Sequence, residues 1–208
     1  LLPASYESRI KAVDGVVAVS PQTWFGAWFR DERNQFPTFP SDPEAYLRIY
    51  PEIKLTEEQK QAWFADRAGA LVGRAIADLY GWKVGDQVPL RSAIWRRMDG
   101  SDTWDVTVRA IYDLPEGGDT RQIVLHQDYF EEAKQQAKGL IGWYVIKIDD
   151  VNRAIPPHED VSVVEVRDRD STIVQSADHR VETVEGSVAH GSGPGVRQRC
   201  GVDPGRRQ

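Results

Sequence analysis

Every aromatic side chain of this 208-residue chain lies between Tyr6 and Tyr144, and the last 64 residues contain none. Aromatic rings supply much of the area a core buries, so the core must come from roughly the first 150 residues. A domain of that size buries about 70% of the surface its unfolded chain exposes. Residues 151–208 are written mainly in Val, Ser, Gly, Arg and Asp, with eight Arg, no Lys and three of the four His (His158, His179, His190). Such a segment buries too little to offset its ordering entropy. The expected organisation is a domain over 1–150 and an irregular, low-aromatic tail over 151–208. Two origins fit the abrupt change near Asp150: a natural disordered tail, or a reading-frame error in a GC-rich gene.

Charge does not separate the parts, with 18 basic against 23 acidic residues before 151 and 8 against 9 after. The net charge of -6 speaks against a nucleic-acid platform, which needs clustered Lys and Arg. No apolar run reaches 18 residues, so no membrane span is expected within the chain. Cys200 is the only cysteine, which leaves no internal disulfide and no cysteine-based metal cluster. The chain opens on Leu1 and its only Met is Met98, the pattern of a fragment or of a matured product.

Ser5 is placed to cap a helix running to Val13, ended by Gly15. Val16–Val19 has the pattern of a buried strand and Trp24–Arg30 that of a second extended stretch. Asp31–Pro40 is expected to be a loop. Asp42-Pro43 opens a helix that ends at Pro51, and Thr56-Glu57-Glu58-Gln59 is a capping box opening another. Leu71, Val72, Ala75, Ile76, Leu79 and Tyr80 recur with helical period, which predicts one amphipathic helix ending at Gly81. Gln87–Ile94 is a strand. Trp104 to Tyr112 alternates apolar and polar residues, a half-buried strand entered through the Met98–Ser101 turn. Gln122–Leu125, Asp128–Lys138 and Trp143–Ile148 are expected as strand, helix and strand. The fold class is therefore α+β, with a mixed or antiparallel sheet and packed helices.

Chemistry is sparse. There is no glycine-rich nucleotide signature, and Gly69–Gly73 is expected to be a tight join between helices. His126 is the only core histidine. Beside Asp128 it has the composition of a base with its orienter, but no nucleophile accompanies it, and a structural role is expected. The carboxylate pairs Asp31-Glu32, Glu57-Glu58, Glu131-Glu132 and Asp149-Asp150, with seven Trp, would suit a sugar-binding or glycosidase site. The second and third pairs are equally explained as acids at helix starts. Trp24-Phe25-Gly26-Ala27-Trp28-Phe29 is either an exposed platform or both faces of a buried strand. Trp95-Arg96-Arg97 is either an anion site or a solvated turn. No catalytic, cofactor-binding or metal-ligating residue is assigned.

The sequences "LPASYESRIKAVDGVVAVSPQTWFGAWF", "FPSDPEAYLRIYPE", "DRAGALVGRAIADLYGWKVGDQVPL", "SDTWDVTVRAIYD" and "GWYVIKIDD" resemble, in this order, the periplasmic core domain of MacB/FtsX-type ABC transporter permeases. The family's landmarks correspond to Ile10–Val19, Ile76–Leu90 and Val106–Tyr112. The resemblance covers about residues 1–150 and departs after Asp150, where the family continues into a further helix and strands. It implies an incomplete MacB-like periplasmic core domain. It also implies a role in transmitting ATP-driven motion of membrane helices, of export or efflux type, without enzymatic activity or cofactor of its own. Implied partners are a cognate ABC ATPase reached through membrane helices absent from this chain, a periplasmic adaptor or lipoprotein, and a second permease as homodimer or heterodimer. No nucleic acid is implied. The implied location is the extracytoplasmic face of a bacterial inner membrane. The alternative from composition is a secreted carbohydrate-binding or carbohydrate-active module. The Asp31–Pro40 loop and the Trp95–Asp102 turn are the candidate interaction surfaces.

Overall fold

Strand pairing sorts the chain into two main sheets in a computed structural model that describes residues 1–115, 118–149, 161–166 and 171–176. The larger is built from β3 (Ala27–Trp28), β4 (Gln35–Phe36), β5 (Thr38–Ser41), β6 (Gly69–Gly73), β7 (Gln87–Ser92), β8 (Thr103–Tyr112) and β9 (Ile123–His126). Its order is β4-β3-β7-β8-β6-β9-β5. It is mixed: β6 runs parallel to β8 and β5 parallel to β9, while the other pairs are antiparallel. Helices α2 (Pro43–Ile49), α3 (Glu57–Ala65), α4 (Arg74–Tyr80) and α5 (Gln127–Ala133) accompany it.

The smaller sheet has the order β12-β13-β11-β2, all antiparallel, from β2 (Val16–Gln22), β11 (Trp143–Ile148), β12 (Val161–Val166) and β13 (Ser171–Ser176). Beside it β1 (Leu2–Pro3) pairs with β10 (Leu140–Ile141), and α1 (Tyr6–Lys11) follows β1. The α+β expectation with a mixed sheet and packed helices therefore holds. Within 151–208 the described residues are the two strands β12 and β13. The rest of that segment, and Asp150 with it, lies outside the described residues.

The capping signals act as written. The Asp42 carboxylate accepts the Ala45 amide at 2.6 Å with Pro43 in the first turn of α2. Thr56 and Gln59 cap α3 reciprocally. Gly81 ends α4 in the left-handed conformation at φ 71°. Ser5, by contrast, sits in helical geometry and its side chain caps nothing.

The helix predicted over Leu71–Tyr80 is in fact a strand followed by a short helix. Gly69–Gly73, expected as a join between helices, is the fully buried strand β6 between β8 and β9. A strand covered on both faces has no alternation to show, so its apolar run merged with that of α4. Leu79, assigned to the buried face, is 69% exposed. A Cβ on Gly73 would overlap the Thr120 carbonyl, so only glycine fits where β6 turns into α4.

Asp31–Pro40, expected to be a loop, contains β4 and most of β5, with Phe36, Thr38 and Pro40 buried. Pro40 is tolerated because β5 is an edge strand. Trp24–Arg30 contributes only β3. The helix expected to reach Lys138 stops at Ala133. The alternation of β8 also changes face partway. Trp104, Val106 and Val108 join the cluster of Phe25, Leu90 and Phe130, whereas Ala110 and Tyr112 join Trp63, Leu71 and Val124 on the α2–α3 side. The register against β6 shifts between these groups, where Ala70 pairs with Val108 and Leu71 with Ala110. A bulge of one residue moves the following side chains across the sheet.

Candidate functional site

The chain passes between the two sheets through the β2–β3 link and again through the link from α5 to β11. These crossings are clamped together. The Gly142 amide donates to the Gln22 carbonyl at 2.9 Å and to Thr23 Oγ1 at 3.0 Å. A Cβ on Gly142 would press on the Gln22 carbonyl. Next to the clamp, Ser20 Oγ and Ser41 Oγ meet at 2.5 Å, both fully buried, joining β2 to β5. Phe39 packs edge-on between Trp24 at 5.5 Å and Trp143 at 5.8 Å. Ala18, Ile49 and Val145 close the seam under α2.

Lys134 ties the second crossing down. It is fully buried, pairs with Glu131 at 2.5 Å, donates to the Leu140 carbonyl at 2.8 Å and lies over the Phe130 ring at 5.0 Å. Sequence reasoning missed it. The one available signal was a Lys three residues after Glu131, which describes exposed helix surfaces just as well.

Beside the seam, between α1 and β10 on one side and α2, α3 and α5 on the other, lies a cleft of about 520 Å³. His126 and Asp128, paired in the sequence reading, both line it, and their nearest approach is 3.8 Å from Nδ1 to Oδ1. The His126 ring is buried and its Nε2–H donates to the Trp63 carbonyl at 2.7 Å. Burial holds its pKa below the ordinary value, against the opposing pull of that carbonyl and of Asp128. The histidine is thus a core residue at the edge of a cleft.

The other candidates resolve structurally. Glu57 and Glu58 occupy the first turn of α3, as expected. Glu131 and Glu132 do not start a helix but lie near the end of α5, where Glu131 holds Lys134 and Glu132 meets Arg67 at 2.9 Å. Asp31 is engaged by Arg33, which holds its carboxyl below the usual range. Arg96 donates to the Gly100 carbonyl. Arg97 donates to the Tyr129 hydroxyl at 2.8 Å and lies over the Trp104 ring, so this pair organises its own turn. Among the tryptophans, Trp28, Trp63, Trp82, Trp95 and Trp104 are buried. They cannot stack on a sugar, which leaves Trp24 and the half-buried Trp143 as the tryptophans open to one. Within Trp24–Phe29, Phe25 and Trp28 are core while Trp24 is 41% exposed. Both candidate interaction surfaces are largely enclosed at their apolar residues, with Phe36 and Trp95 buried. Their exposed remainder is residues 32–35, Arg96 and residues 98–100. Among the described residues, no three His, Cys, Asp or Glu side chains converge to hold a metal ion, and no helix is long and apolar enough to cross a membrane.

The chain is similar to extracellular and periplasmic domains of ABC-type transporter permeases. One is the extracellular domain of the noncanonical ABC-type transporter YknZ from Gram-positive bacteria. It is 10% identical, with 73% of this chain and 75% of that one covered at a TM-score of 0.47. A domain from Porphyromonas gingivalis assigned to a permease protein is 18% identical over 84% of this chain and 66% of that one, at 0.44. The periplasmic region of MacB from Actinobacillus actinomycetemcomitans is 9% identical over 88% and 68%, at 0.40. No family model matches the sequence and no curated protein does. At these identities and TM-scores no activity, ligand or partner carries over to this chain.

Proposed function

We propose that residues 1–150 are the extracytoplasmic domain of an ABC transporter permease, a non-enzymatic element that passes motion of membrane helices to a partner or substrate outside the membrane. The observation that carries this reading is the ordered set of landmarks at Ile10–Val19, Ile76–Leu90 and Val106–Tyr112. These positions fall on the end of α1 with β2, on α4 with β7, and on β8. Geometry fits the role. The chain enters at β1, where Leu2 pairs with Ile141, and β11 ends beside the start of β2, where the Asp149 amide donates to the Gly15 carbonyl at 2.9 Å. Entry and exit of the 1–149 region thus lie side by side: β1 borders the small sheet, held by the Tyr144 hydroxyl, and β11 belongs to it. A pull applied there reaches the larger sheet through the Ser20–Ser41 seam and the Gly142 clamp as a rigid-body displacement.

On this reading the domain stands on the outer face of a bacterial inner membrane. It works with an ABC ATPase through membrane helices, with a second permease, and with an adaptor or lipoprotein in an export or efflux system. Reading the coding DNA upstream of Leu1 tests it. An in-frame stretch of about 20 apolar residues is expected. A cleavable signal sequence alone would overturn the permease assignment.

A further inference from the structure

The chain holds two sulfur atoms, in Met98 and Cys200. Methionine commonly fills irregular gaps in a core, but Met98 stands between β7 and β8 and is 63% exposed. The turn that carries it is well tied. The Met98 amide donates to the Ala133 carbonyl at 2.8 Å, the Gln135 amide to the Arg96 carbonyl at 2.8 Å and the Gly100 amide to the Arg97 carbonyl at 2.8 Å. These bonds hold the backbone around an exposed thioether against the end of α5.

Met98 lines a groove of about 320 Å³ together with Arg97, Asp99, Tyr129, Glu132 and Ala133. Arg97 links this groove to the core. Its guanidinium donates to the Tyr129 hydroxyl at 2.8 Å, and that hydroxyl donates to the Asp105 carbonyl of β8 at 3.1 Å. The same guanidinium lies over the Trp104 ring at 5.7 Å and the Tyr129 ring at 6.0 Å. Asp99 Oδ2 stands 3.7 Å from Arg97 Nε, beyond hydrogen-bond distance. A guanidinium carries five N–H donors and bonds most strongly to charged acceptors. The thioether sulfur lining the groove with it is only a weak acceptor. An oxygen added to that sulfur is dipolar and a strong one, and it competes with the Tyr129 hydroxyl for the same cation.

We propose that Met98 is an oxidation site, and that its sulfoxide draws the Arg97 guanidinium off the Tyr129 hydroxyl and so loosens the hold of the turn on β8. The oxidant is a peroxide. The sulfur attacks one peroxide oxygen, the O–O bond breaks as the S–O bond forms, and the sulfur gives up two electrons. With hydrogen peroxide, the leaving hydroxide takes the proton of the transferred hydroxyl and departs as water. The product is a polar side chain in place of an apolar one, and reductive repair returns the thioether.

The test treats the 208-residue chain with hydrogen peroxide. Mass spectrometry of the tryptic peptide that begins at Met98 locates the added oxygen, and NMR follows the Arg97 Nε–H and Trp104 indole N–H resonances. Met98 is expected to convert within about tenfold of the rate of N-acetyl-methionine amide, because susceptibility follows exposure. Both resonances are expected to shift as the sulfoxide forms. Met98→Leu keeps an apolar side chain of similar volume and is expected to hold both resonances in place under peroxide. That variant separates Met98 from oxidation at Cys200 or at tryptophan. Slower conversion than stated, equal shifts in Met98→Leu, or complete conversion with both resonances unmoved would overturn the inference. None of these results bears on the presence of membrane helices upstream, so the two readings fail separately.

Discussion

The larger sheet is packed on both faces from within its own stretch of chain, whereas the smaller sheet borrows. Around the larger sheet, Phe25, Trp95, Trp104 and Phe130 interlock on one face and Tyr46, Trp63, Leu71 and Tyr112 on the other. Helices α2 to α5 each bury at least one side chain there. The smaller sheet is covered by α1, which buries no residue fully, and on its other face by Ile49 of α2. Its β2–β11 pairing joins Val19 to Ile146 across the whole intervening domain. Closing so long a loop is entropically costly until the intervening chain has folded. The larger sheet is thus the expected folding unit, and the smaller one closes onto it.

Truncating the larger core is the strongest way to break this asymmetry. Trp104 is fully buried against Phe25, Tyr129 and Phe130. Trp104→Ala is expected to cost about 3–5 kcal/mol. In urea denaturation both sheets should unfold together. Ile146→Ala in the smaller sheet is expected to cost about 2–4 kcal/mol, with amide exchange accelerating in β2 and β11 before β6 and β8. Uniform acceleration in all four strands would mean that the sheets form one cooperative unit.

The next largest effect is at the tie between them. Lys134→Met removes the buried ammonium, leaving the Leu140 carbonyl without its donor and Glu131 without its cation. Losing one member of a buried pair costs up to about 3–5 kcal/mol. Glu131 is 30% exposed and partly rehydrates, so about 2–3 kcal/mol is expected by thermal melting. If the variant is more stable than the parent, the charge is a burden and the tie is not structural.

Which parts of this design were legible follows from how locally they are encoded. Asp42-Pro43, Thr56 with Gln59, and Gly81 are cap signals satisfied within one turn, and all three acted as expected. The long alternation of β8 needs only a period of two, so its extent was legible and its bulge was not. β6 failed because burial on both faces erases the period, and α4 directly after it supplied a false one. β4 and β5 failed because edge strands of two and four residues, one holding Pro40, look like loops. The site was least legible of all. His126 and Asp128 were noticed, but the cleft also needs Gln127 and residues from α1, α2 and α3 that no local pattern connects.

Mild acid separates the two regions by titration. His126 belongs to the larger sheet, and the smaller sheet's described residues contain no histidine. Burial lowers its folded pKa below the ordinary 6.5, so between those two values the unfolded chain binds more protons than the folded one. Stability contributed by the neutral, buried ring is therefore complete above about pH 6.5 and is lost as pH falls toward the folded value. The slope cannot exceed about 1.4 kcal/mol per pH unit for one group. His126→Asn should lower stability at neutral pH and flatten this slope in urea titrations between pH 7 and 5. An unchanged slope would assign the acid sensitivity to carboxylates.

The smallest effect is the most local. Tyr144 of β11 donates its hydroxyl to the Pro3 and Ala4 carbonyls at 3.1 and 3.0 Å, fastening the entering chain to the smaller sheet. Its ring is fully buried, and burial pushes the phenol pKa well above its ordinary value, so the hydroxyl stays a donor through the physiological range. Tyr144→Phe keeps the ring in the cluster of Leu2, Val19 and Ile141 and deletes only the fastening. A loss of about 1 kcal/mol is expected, seen as faster amide exchange at Ala4, whose N–H bonds the Gly139 carbonyl, with β6 and β8 untouched. On the permease reading this joint receives the pull from the membrane, and a variant weakened only there would blunt transmission while leaving the larger sheet intact. Accelerated exchange in β8 instead would mean that the entry strand stabilises the whole molecule, and the division into a self-sufficient sheet and a dependent one would fail.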